Sequence, residues 1–283
     1  MDSLRDRVGN FLRHRNIRLN TNLGQHFLID EDILETIVKT ADIQPDDHVV
    51  EIGPGIGVLT SELLMYAGEV TTIELDDRMI PLMKDFLPAR SEQRSGGPPK
   101  SKRVTEKFTV VHGNALQVDF PQTPYKIVAN IPYHITSPLL RHAYLESATA
   151  PIAMTLLIQR EVAEKICDEK HAGILTIMVK LFGEPELICT VPPSAFMPPP
   201  AVDSAVLRII SREKPLADRP TIDAILKFLK IAFAGKRKML RNTLGHLDNG
   251  MELLAKAGID PTRRPETLSV QEWMEFVRCS TTP

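Results

Sequence analysis

An α/β fold, a parallel sheet with helices on both faces followed by a small all-helical domain, is predicted by three features of the chain. Short apolar runs alternate with segments of helical periodicity up to about residue 210. One of those runs, Val49-Val50-Glu51-Ile52, passes through Gly53-Pro54-Gly55-Ile56-Gly57 directly into a helical segment, as in a nucleotide-binding βαβ unit. Beyond Pro220 the strand pattern stops and only helical spacing remains.

The 283-residue chain, 43% apolar and 25% charged, is long enough to bury a full core and has the composition of a soluble globular protein. Its net charge of -2 conceals basic ends. Residues 1–28 carry five arginines against two aspartates, and residues 221–247 carry six Lys or Arg against Asp223 alone. Such an excess suits a phosphate backbone, although a charge cluster is commonly no more than a solvated face. Cys167, Cys189 and Cys279 lie far apart without a C-x-x-C pair, so neither a zinc site nor a disulfide framework is indicated. No metal is expected, and a reducing cytoplasm is the expected compartment. With no signal-like apolar segment and no apolar run approaching ~18 residues, no membrane partner is expected.

Residues 1–20, basic and without sustained periodicity, are expected to be extended or only partly helical. After Asn22-Leu23-Gly24-Gln25-His26-Phe27-Leu28-Ile29, Asp30 can cap a helix in which Ile33, Leu34, Ile37 and Val38 recur at helical spacing. The first strand, the glycine turn and a helix to about Tyr66 follow, then a second strand closing at Glu74. Residues 88–107 are rich in Ser, Gly, Pro and basic side chains, with Val104 their one strongly apolar residue, and read as a flexible surface insertion. A tolerated loop and a nucleic-acid contact are both open for it. Phe108–His112 and Tyr125–Ala129 are the third and fourth strands, and Ser137-Pro138 is expected to open a helix with Ser137 as its cap. Ala153–Ile158 is the fifth strand and Gln159–Lys165 a helix. Ile174–Phe182 is apolar nearly throughout and is read as helix, although periodicity alone does not separate it from a strand. Leu187–Val191 and Ser204–Ile210 form a closing pair of strands around the loop Pro192–Pro200. Helices are then expected at about 221–234, 236–246, 249–257 and 269–278, with Pro215 and Pro220 bracketing the domain boundary.

Glycines at 53, 55 and 57 remove the Cβ atoms that would hold a ligand off the backbone. A dinucleotide fingerprint counted from Gly53 needs its third glycine at position 58, which is Val58. The acidic-x-G-x-G-x-G spacing favours S-adenosylmethionine over a nicotinamide dinucleotide. Glu74, closing the second strand, can accept both hydroxyls of a ribose with its two carboxylate oxygens. Taken alone, the loop also fits an ordinary Gly-rich turn or a nicotinamide site.

Asn130-Ile131-Pro132-Tyr133 stands at the carboxyl end of the fourth strand, where ligand and catalytic groups of open α/β sheets lie. Its parts suit methylation of an exocyclic amine. The lone pair of an adenine N6 is delocalised into the ring, so geometry helps more than a general base. The Asn130 side-chain carbonyl and a backbone carbonyl near Ile131 or Pro132 can accept the two N6 hydrogens and aim the lone pair at a sulfonium methyl. Tyr133 can stack on the base, a contact worth ~1–3 kcal/mol. The transfer is an in-line displacement that needs no metal. His134 is not required as a base and is expected to face solvent, and Asp203 is expected to fix the turn into its strand.

With these motifs in this order, the chain closely resembles the ribosomal RNA small-subunit adenine N6,N6-dimethyltransferases of the KsgA type over nearly its whole length. The resemblance rests on Asn22-Leu23-Gly24-Gln25-His26-Phe27-Leu28, Glu51-Ile52-Gly53-Pro54-Gly55, Ile73-Glu74-Leu75-Asp76 and Asn130-Ile131-Pro132-Tyr133. Pro193-Ser194-Ala195-Phe196, Val202-Asp203-Ser204-Ala205-Val206 and Lys236-Arg237-Lys238-Met239-Leu240-Arg241-Asn242 add to it. It implies a seven-stranded Rossmann-like S-adenosylmethionine-dependent methyltransferase sheet, its last strand antiparallel, with a small C-terminal all-helical domain. Carried over residue by residue, the resemblance places cofactor contacts on His26, Leu28, Gly53, Glu74, Asn114 and Asn130, with Gly55 in the loop beside the methionine portion. The catalytic candidates are Asn130, Pro132, Tyr133 and Phe196, the last packing on the opposite side of a flipped adenine. Without the resemblance, Phe196 reads as a core anchor and His26 as a capping or core residue. Where the family usually has Asp this chain has Asn114, which can still accept the cofactor's adenine amine through Oδ1 but carries no charge. Lys236, Arg237, Lys238 and Arg241 are the candidate RNA contacts.

The activity so implied is dimethylation of two adjacent adenosines in the 3′-terminal hairpin of small-subunit rRNA. Small-subunit rRNA and the pre-ribosomal small subunit are the implied partners, and a monomer is expected. A large-subunit adenine methylase of the macrolide-resistance type shares the fold and motifs, and an assembly factor with secondary methylation is the alternative from a different class. The expected domains are a basic arm and cofactor-covering motif at 1–30, the methyltransferase domain at 31–214, and a helical RNA-binding domain at 215–283.

Overall fold

The computed structural model describes residues 2–17, 19, 24–87, 107–235 and 238–281. The chain divides into two compact units, one spanning Met1–Ala163 and Glu186–Ser211, the other Glu164–Pro185 and Arg212–Pro283.

The first unit opens with helix α1 (Leu4–His14), where an extended or partly helical arm was expected. Ser3 caps it by accepting from the Asp6 N–H, and Leu4, Val8 and Leu12, spaced four apart, are buried. In chain order follow β1 (Phe27–Leu28), α2 (Glu31–Ala41), β2 (His48–Ile52), α3 (Val58–Tyr66), β3 (Glu69–Glu74), α4 (Met79–Phe86) and β4 (Lys107–His112). Next come β5 (Lys126–Asn130), α5 (Thr136–Arg141), β6 (Ala153–Gln159), α6 (Arg160–Cys167), α7 (Ile174–Phe182), β7 (Gly183–Val191), β8 (Phe196–Met197) and β9 (Ser204–Ser211). Asp30 caps α2 through bonds from the N–H groups of Asp32 and Ile33, as its position predicts. Helix α5 begins at Thr136, not at a Ser137 cap, because Tyr133–Ile135 already forms a 3-10 turn and the Thr136 hydroxyl donates to the Tyr133 carbonyl. The insertion expected at 88–107 lies outside the described residues except for Lys107, which opens β4.

Seven strands form one sheet in the order β4-β3-β2-β5-β6-β9-β7, and β1 pairs with β8 separately. β3 and β5 run parallel to β2, β4 parallel to β3 and β6 parallel to β5, while β9 returns antiparallel to β6 with Leu156 opposite Leu207. This is the seven-stranded sheet with an antiparallel last strand that the resemblance implies. Val49, Val50, Ile127, Val128, Leu156 and Leu157 are each at most 1% exposed, as strands covered on both faces require. Chain order reverses between β2 and β5, which opens a crevice at their carboxyl ends.

The second unit holds α7 together with α8 (Arg219–Phe233), α9 (Gly250–Lys256) and α10 (Val270–Thr281). Helix α7 packs on α8 and α10, which explains why it is apolar nearly all round and why it groups with this unit and not with the segment ending at 214. Trp273, Phe276, Leu229, Leu240 and Leu254 are fully buried, and Phe228 meets Phe276 edge-on with centroids 5.1 Å apart. Of the helix expected at 236–246, residues 236 and 237 lie outside the described residues, and 3-10 turns at Leu240–Asn242 and Leu244–His246 stand in its place over the rest. There the N–H groups of Leu240 and Arg241 donate to the carbonyls of Arg263 and Pro261 and so are lost to a helical ladder. Among the described residues no helix is long and apolar enough to cross a membrane.

Val8 is 0% exposed. Val8→Asp buries an unpaired charge and should lower Tm by ~5–10 °C, at about 2–4 °C per kcal/mol for a unit of this size. A shift below ~2 °C in a thermal melt would show that α1 is not part of the core.

Candidate active site

Four parallel strands deliver their carboxyl ends to one cavity: Gly53 and Gly55 after β2, Glu74 at the end of β3, Asn114 after β4 and Asn130 at the end of β5. Gly24–Leu28 completes the lining. Gly53 (φ +67°) and Gly55 (φ +56°) occupy the left-handed region, and a Cβ on Gly55 would come within 2.5 Å of the Phe27 ring.

Glu74 Oε2 accepts from the Gly55 N–H at 3.1 Å, and its Oε1 accepts from the Asp76 N–H at 2.8 Å. Strand acid and glycine turn are thus one rigid piece, and each carboxylate oxygen keeps a lone pair for a ligand. Burial raises the Glu74 pKa, while the bonds from Asp76 and Gly55 oppose the rise. Beside it Glu51, 2% exposed, accepts a 2.6 Å bond from the Thr60 hydroxyl. Burial, with the neighbouring Glu74 adding to it, pushes the Glu51 pKa up to about 8. Near neutral pH Glu51 is therefore mostly a neutral acid, which avoids two charges side by side.

Asn130 donates from Nδ2 to the His26 carbonyl at 3.0 Å. A carbonyl can only accept, so this bond fixes the amide orientation and leaves Oδ1 as an acceptor. The Pro132 carbonyl accepts from the Ile135 N–H at 3.1 Å. The Tyr133 hydroxyl shares a 2.7 Å hydrogen bond with Ser204 Oγ, and burial pushes the phenol pKa up, so it stays neutral. His26 Nδ1 donates to the Pro198 carbonyl at 2.8 Å. Gln25 donates to Asp76 Oδ2 at 2.9 Å, and Arg78, hydrogen-bonded to Asp76, holds that carboxyl below its usual range. Asn114 Oδ1 accepts from the Leu116 N–H at 3.0 Å.

His26, Leu28, Gly53, Gly55, Glu74, Asn114, Asn130 and Pro132 thus come together around one cavity. Tyr133 is not among its lining residues, and Phe196 is neither in the lining nor accessible. The Phe196 ring is 3% exposed within the hydrophobic core, and its backbone pairs opposite Leu28. In this conformation Phe196 is a core anchor, the reading its residue type gives without the resemblance, and it does not face the cavity. His134, expected only to face solvent, is exposed and also lines the cavity. Asp203 pairs with Arg160 at 2.8 Å at the turn into β9, and its carbonyl accepts from the Arg160 N–H. Lys238 and Arg241 are exposed in the second unit, and Lys236 and Arg237 lie outside the described residues. Gln25 and Asp76 were missed as site residues although both stand inside motifs already singled out. Among the described residues no group of three His, Cys, Asp or Glu side chains is placed to hold a metal ion.

A family model described as ribosomal RNA adenine dimethylase matches residues 16–281. The chain belongs to this family. Proteins named ribosomal RNA small subunit methyltransferase A from Dehalococcoides mccartyi and Clostridium botulinum are each 37% identical to it. The first match runs over 271 residues, 92% of this chain and 88% of the relative; the second over 274 residues, 93% and 94%. A dimethyladenosine transferase from Plasmodium falciparum is similar in structure with a TM-score of 0.73, 28% identity, and coverage of 89% of this chain and 96% of that one. The 23S rRNA methyltransferase ErmE gives 0.70, 27%, 89% and 98%. The seven-stranded sheet is accordingly the Rossmann-like sheet of an rRNA adenine methyltransferase.

Because Glu51 holds its proton far above the ordinary 4.5, the folded chain binds more protons than the unfolded chain between those two values, and stability falls as pH rises through that window. Glu51→Gln should flatten the dependence of Tm on pH between about 5 and 8, leaving the smaller slope from Glu74. Parallel profiles for the two proteins would show that Glu51 ionises normally.

Proposed function

We propose that this chain methylates N6 of two adjacent adenosines near the 3′ end of small-subunit rRNA, with S-adenosylmethionine as methyl donor. The observation that carries the reading is the Asn130 amide, whose orientation is set by the His26 carbonyl so that Oδ1 accepts. The cavity's donor set fits the cofactor: an oriented carboxylate with free lone pairs at Glu74, a Cβ-free backbone at Gly53 and Gly55, and an amide at Asn114. Glu74 would take the ribose hydroxyls and Asn114 the adenine amine, while His26, Leu28 and the glycine turn would enclose the methionine portion. Bound there, S-adenosylmethionine supplies a methyl group on a positively charged sulfur.

Asn130 Oδ1 accepts one hydrogen of the target amine. The Ile131 carbonyl is the better candidate for the other, since that of Pro132 already serves the Ile135 N–H. Held by two acceptors, the amine loses conjugation with the ring and its lone pair is aimed for displacement. The proton released after transfer leaves along the same acceptors to solvent. The neutral Tyr133 ring provides a stacking face. Exposed Lys238 and Arg241, with Lys236 and Arg237, would contact the RNA backbone, so binding weakens as salt rises. The pre-ribosomal small subunit in the cytoplasm is the proposed substrate particle, acted on by a monomer. Relatives named for the small subunit at 37% identity, against 27% for the 23S enzyme, favour this RNA.

The test is transfer of labelled methyl to undermethylated small subunits, with mapping of the modified nucleotides; label found only on large-subunit RNA would overturn the substrate. Asn130→Ala should lower transfer by ~10²–10³-fold while cofactor Kd changes less than about threefold. Equal losses in both would make Asn130 chiefly a cofactor ligand. Asn114→Asp keeps one oxygen for Leu116 and offers a second, charged one, so cofactor Kd should tighten by ~3–10-fold; unchanged or weaker binding in a titration would place the cofactor's amine elsewhere.

A further inference from the structure

Asn114 lines the cavity from the start of the connection between β4 and β5, and a short turn fixes it there. The N–H groups of Gln117 and Val118 donate to the Asn114 carbonyl at 2.8 and 3.0 Å, and the Leu116 N–H donates to Asn114 Oδ1 at 3.0 Å. The Val118 carbonyl, at the far end of this turn, lies 3.2 Å from His142 Nε2. A carbonyl can only accept, so Nε2 is the donor. Two consecutive hydrogen bonds, His142 to Val118 and Val118 to Asn114, thus run from a helix outside the cavity to a residue in its wall.

The turn is also braced from its other side. The Val118 side chain lies against Gly113, where an added Cβ would come within 2.9 Å of Val118 Cγ2, and the Gly113 N–H donates to the Glu74 carbonyl at 2.9 Å. His142 is itself immobilised: it is 9% exposed, and the Phe120 ring meets the imidazole edge-on with centroids 5.1 Å apart. Its Nδ1 is 3.3 Å from Glu146 Oε2, and the Arg141 Nε donates to Glu146 Oε1 at 3.1 Å. His142 opens a π-helical turn, His142–Glu146, that continues α5, and α5 leads directly out of the Asn130 motif through the turn at Tyr133–Ile135. Neither His142 nor Val118 lines the cavity, so any effect of His142 on a ligand passes through the turn.

We propose that His142 is a positioning residue for the cofactor: by holding the Val118 carbonyl it sets the turn that presents Asn114 to the adenine of S-adenosylmethionine. This rests on the reading of the cavity as a cofactor site with Asn114 at the adenine amine. The space beside Phe120 can be filled by any aromatic ring, but only a hydrogen-bond donor satisfies the Val118 carbonyl. The donor, and not the ring, is the part of His142 that acts on binding.

The experiment titrates S-adenosylmethionine into wild type and variants, and measures kcat at saturating cofactor on undermethylated small subunits. His142→Phe keeps a ring and loses the donor; cofactor Kd should rise by ~3–10-fold, with kcat within about twofold of wild type. His142→Gln carries an amide long enough to reach Val118 and should bind cofactor within about twofold of wild type, whereas the shorter His142→Asn should match His142→Phe. The Gln and Asn pair keeps the test decisive if the phenylalanine variant does not fold, which circular dichroism checks. In a double-mutant cycle, adding His142→Phe, or His142→Asn in its place, to Asn114→Ala should weaken cofactor binding by no more than about twofold beyond Asn114→Ala alone. Losses that multiply in the double variant, or a glutamine variant as weak as the asparagine one, would overturn the proposal. An Asn114→Ala variant that binds cofactor like wild type would overturn the reading of Asn114, and the positioning role with it. A chain that binds cofactor yet methylates no adenine would overturn the methyl-transfer reading alone, and the titrations would still decide the role of His142.

Discussion

The hydrogen bond from Asn130 Nδ2 to the His26 carbonyl is the constraint on which the geometry of the candidate site depends. A free asparagine at a strand end samples both amide orientations, and only one presents an acceptor to an amine. A main-chain carbonyl contributed from far along the chain removes that freedom without adding charge. The same bond ties the segment Gly24–Leu28 to β5, while Gln25 ties it to Asp76 beyond the end of β3. The cavity wall and the Asn130 acceptor are therefore positioned by one segment, so a disturbance of that segment reaches both.

Electrostatics shape the floor of the cavity in the same economical way. Two carboxyl groups, Glu51 and Glu74, stand within interaction range in a buried place, and both have raised pKa values, chiefly from desolvation. Glu74 is supported by two backbone N–H groups and can carry charge toward a ligand. Glu51 has a hydroxyl donor and no such pair of amides, and it resolves the conflict by keeping its proton. The two acids thus differ in their local donors, two backbone amides at the tip of Glu74 against a hydroxyl at Glu51.

Much of this was legible in the chain because the central strands of a two-faced parallel sheet must be apolar nearly throughout, and Val49–Ile52 and Ile127–Ala129 are. The glycine turn, the Asp30 cap and the Asn130 motif were legible for local reasons, since backbone conformation and capping act over a few residues. Helix α1 was hidden: Leu4, Val8 and Leu12 are sparse among arginines, and the helix gains its stability from the core it joins. The stretch 238–246 failed for the opposite reason, because a helical pattern on paper lost its backbone donors to the carbonyls of Pro261 and Arg263. The state of Phe196 is set by pairing across more than 160 residues, a distance at which local pattern is silent.

That pairing also explains why Phe196 is buried at all. β1 and β8 are two residues each, with Phe27 opposite Met197 and Leu28 opposite Phe196. Such a short ladder has little stability of its own and must be held by its side chains. Phe27 lies against Gly55, where a Cβ would collide with it, and Leu28 and Phe196 join the core. A one-residue slip would exchange the inward and outward faces and carry His26 and its carbonyl away from Asn130. Burying Phe196 therefore fixes the register that places His26 and its carbonyl.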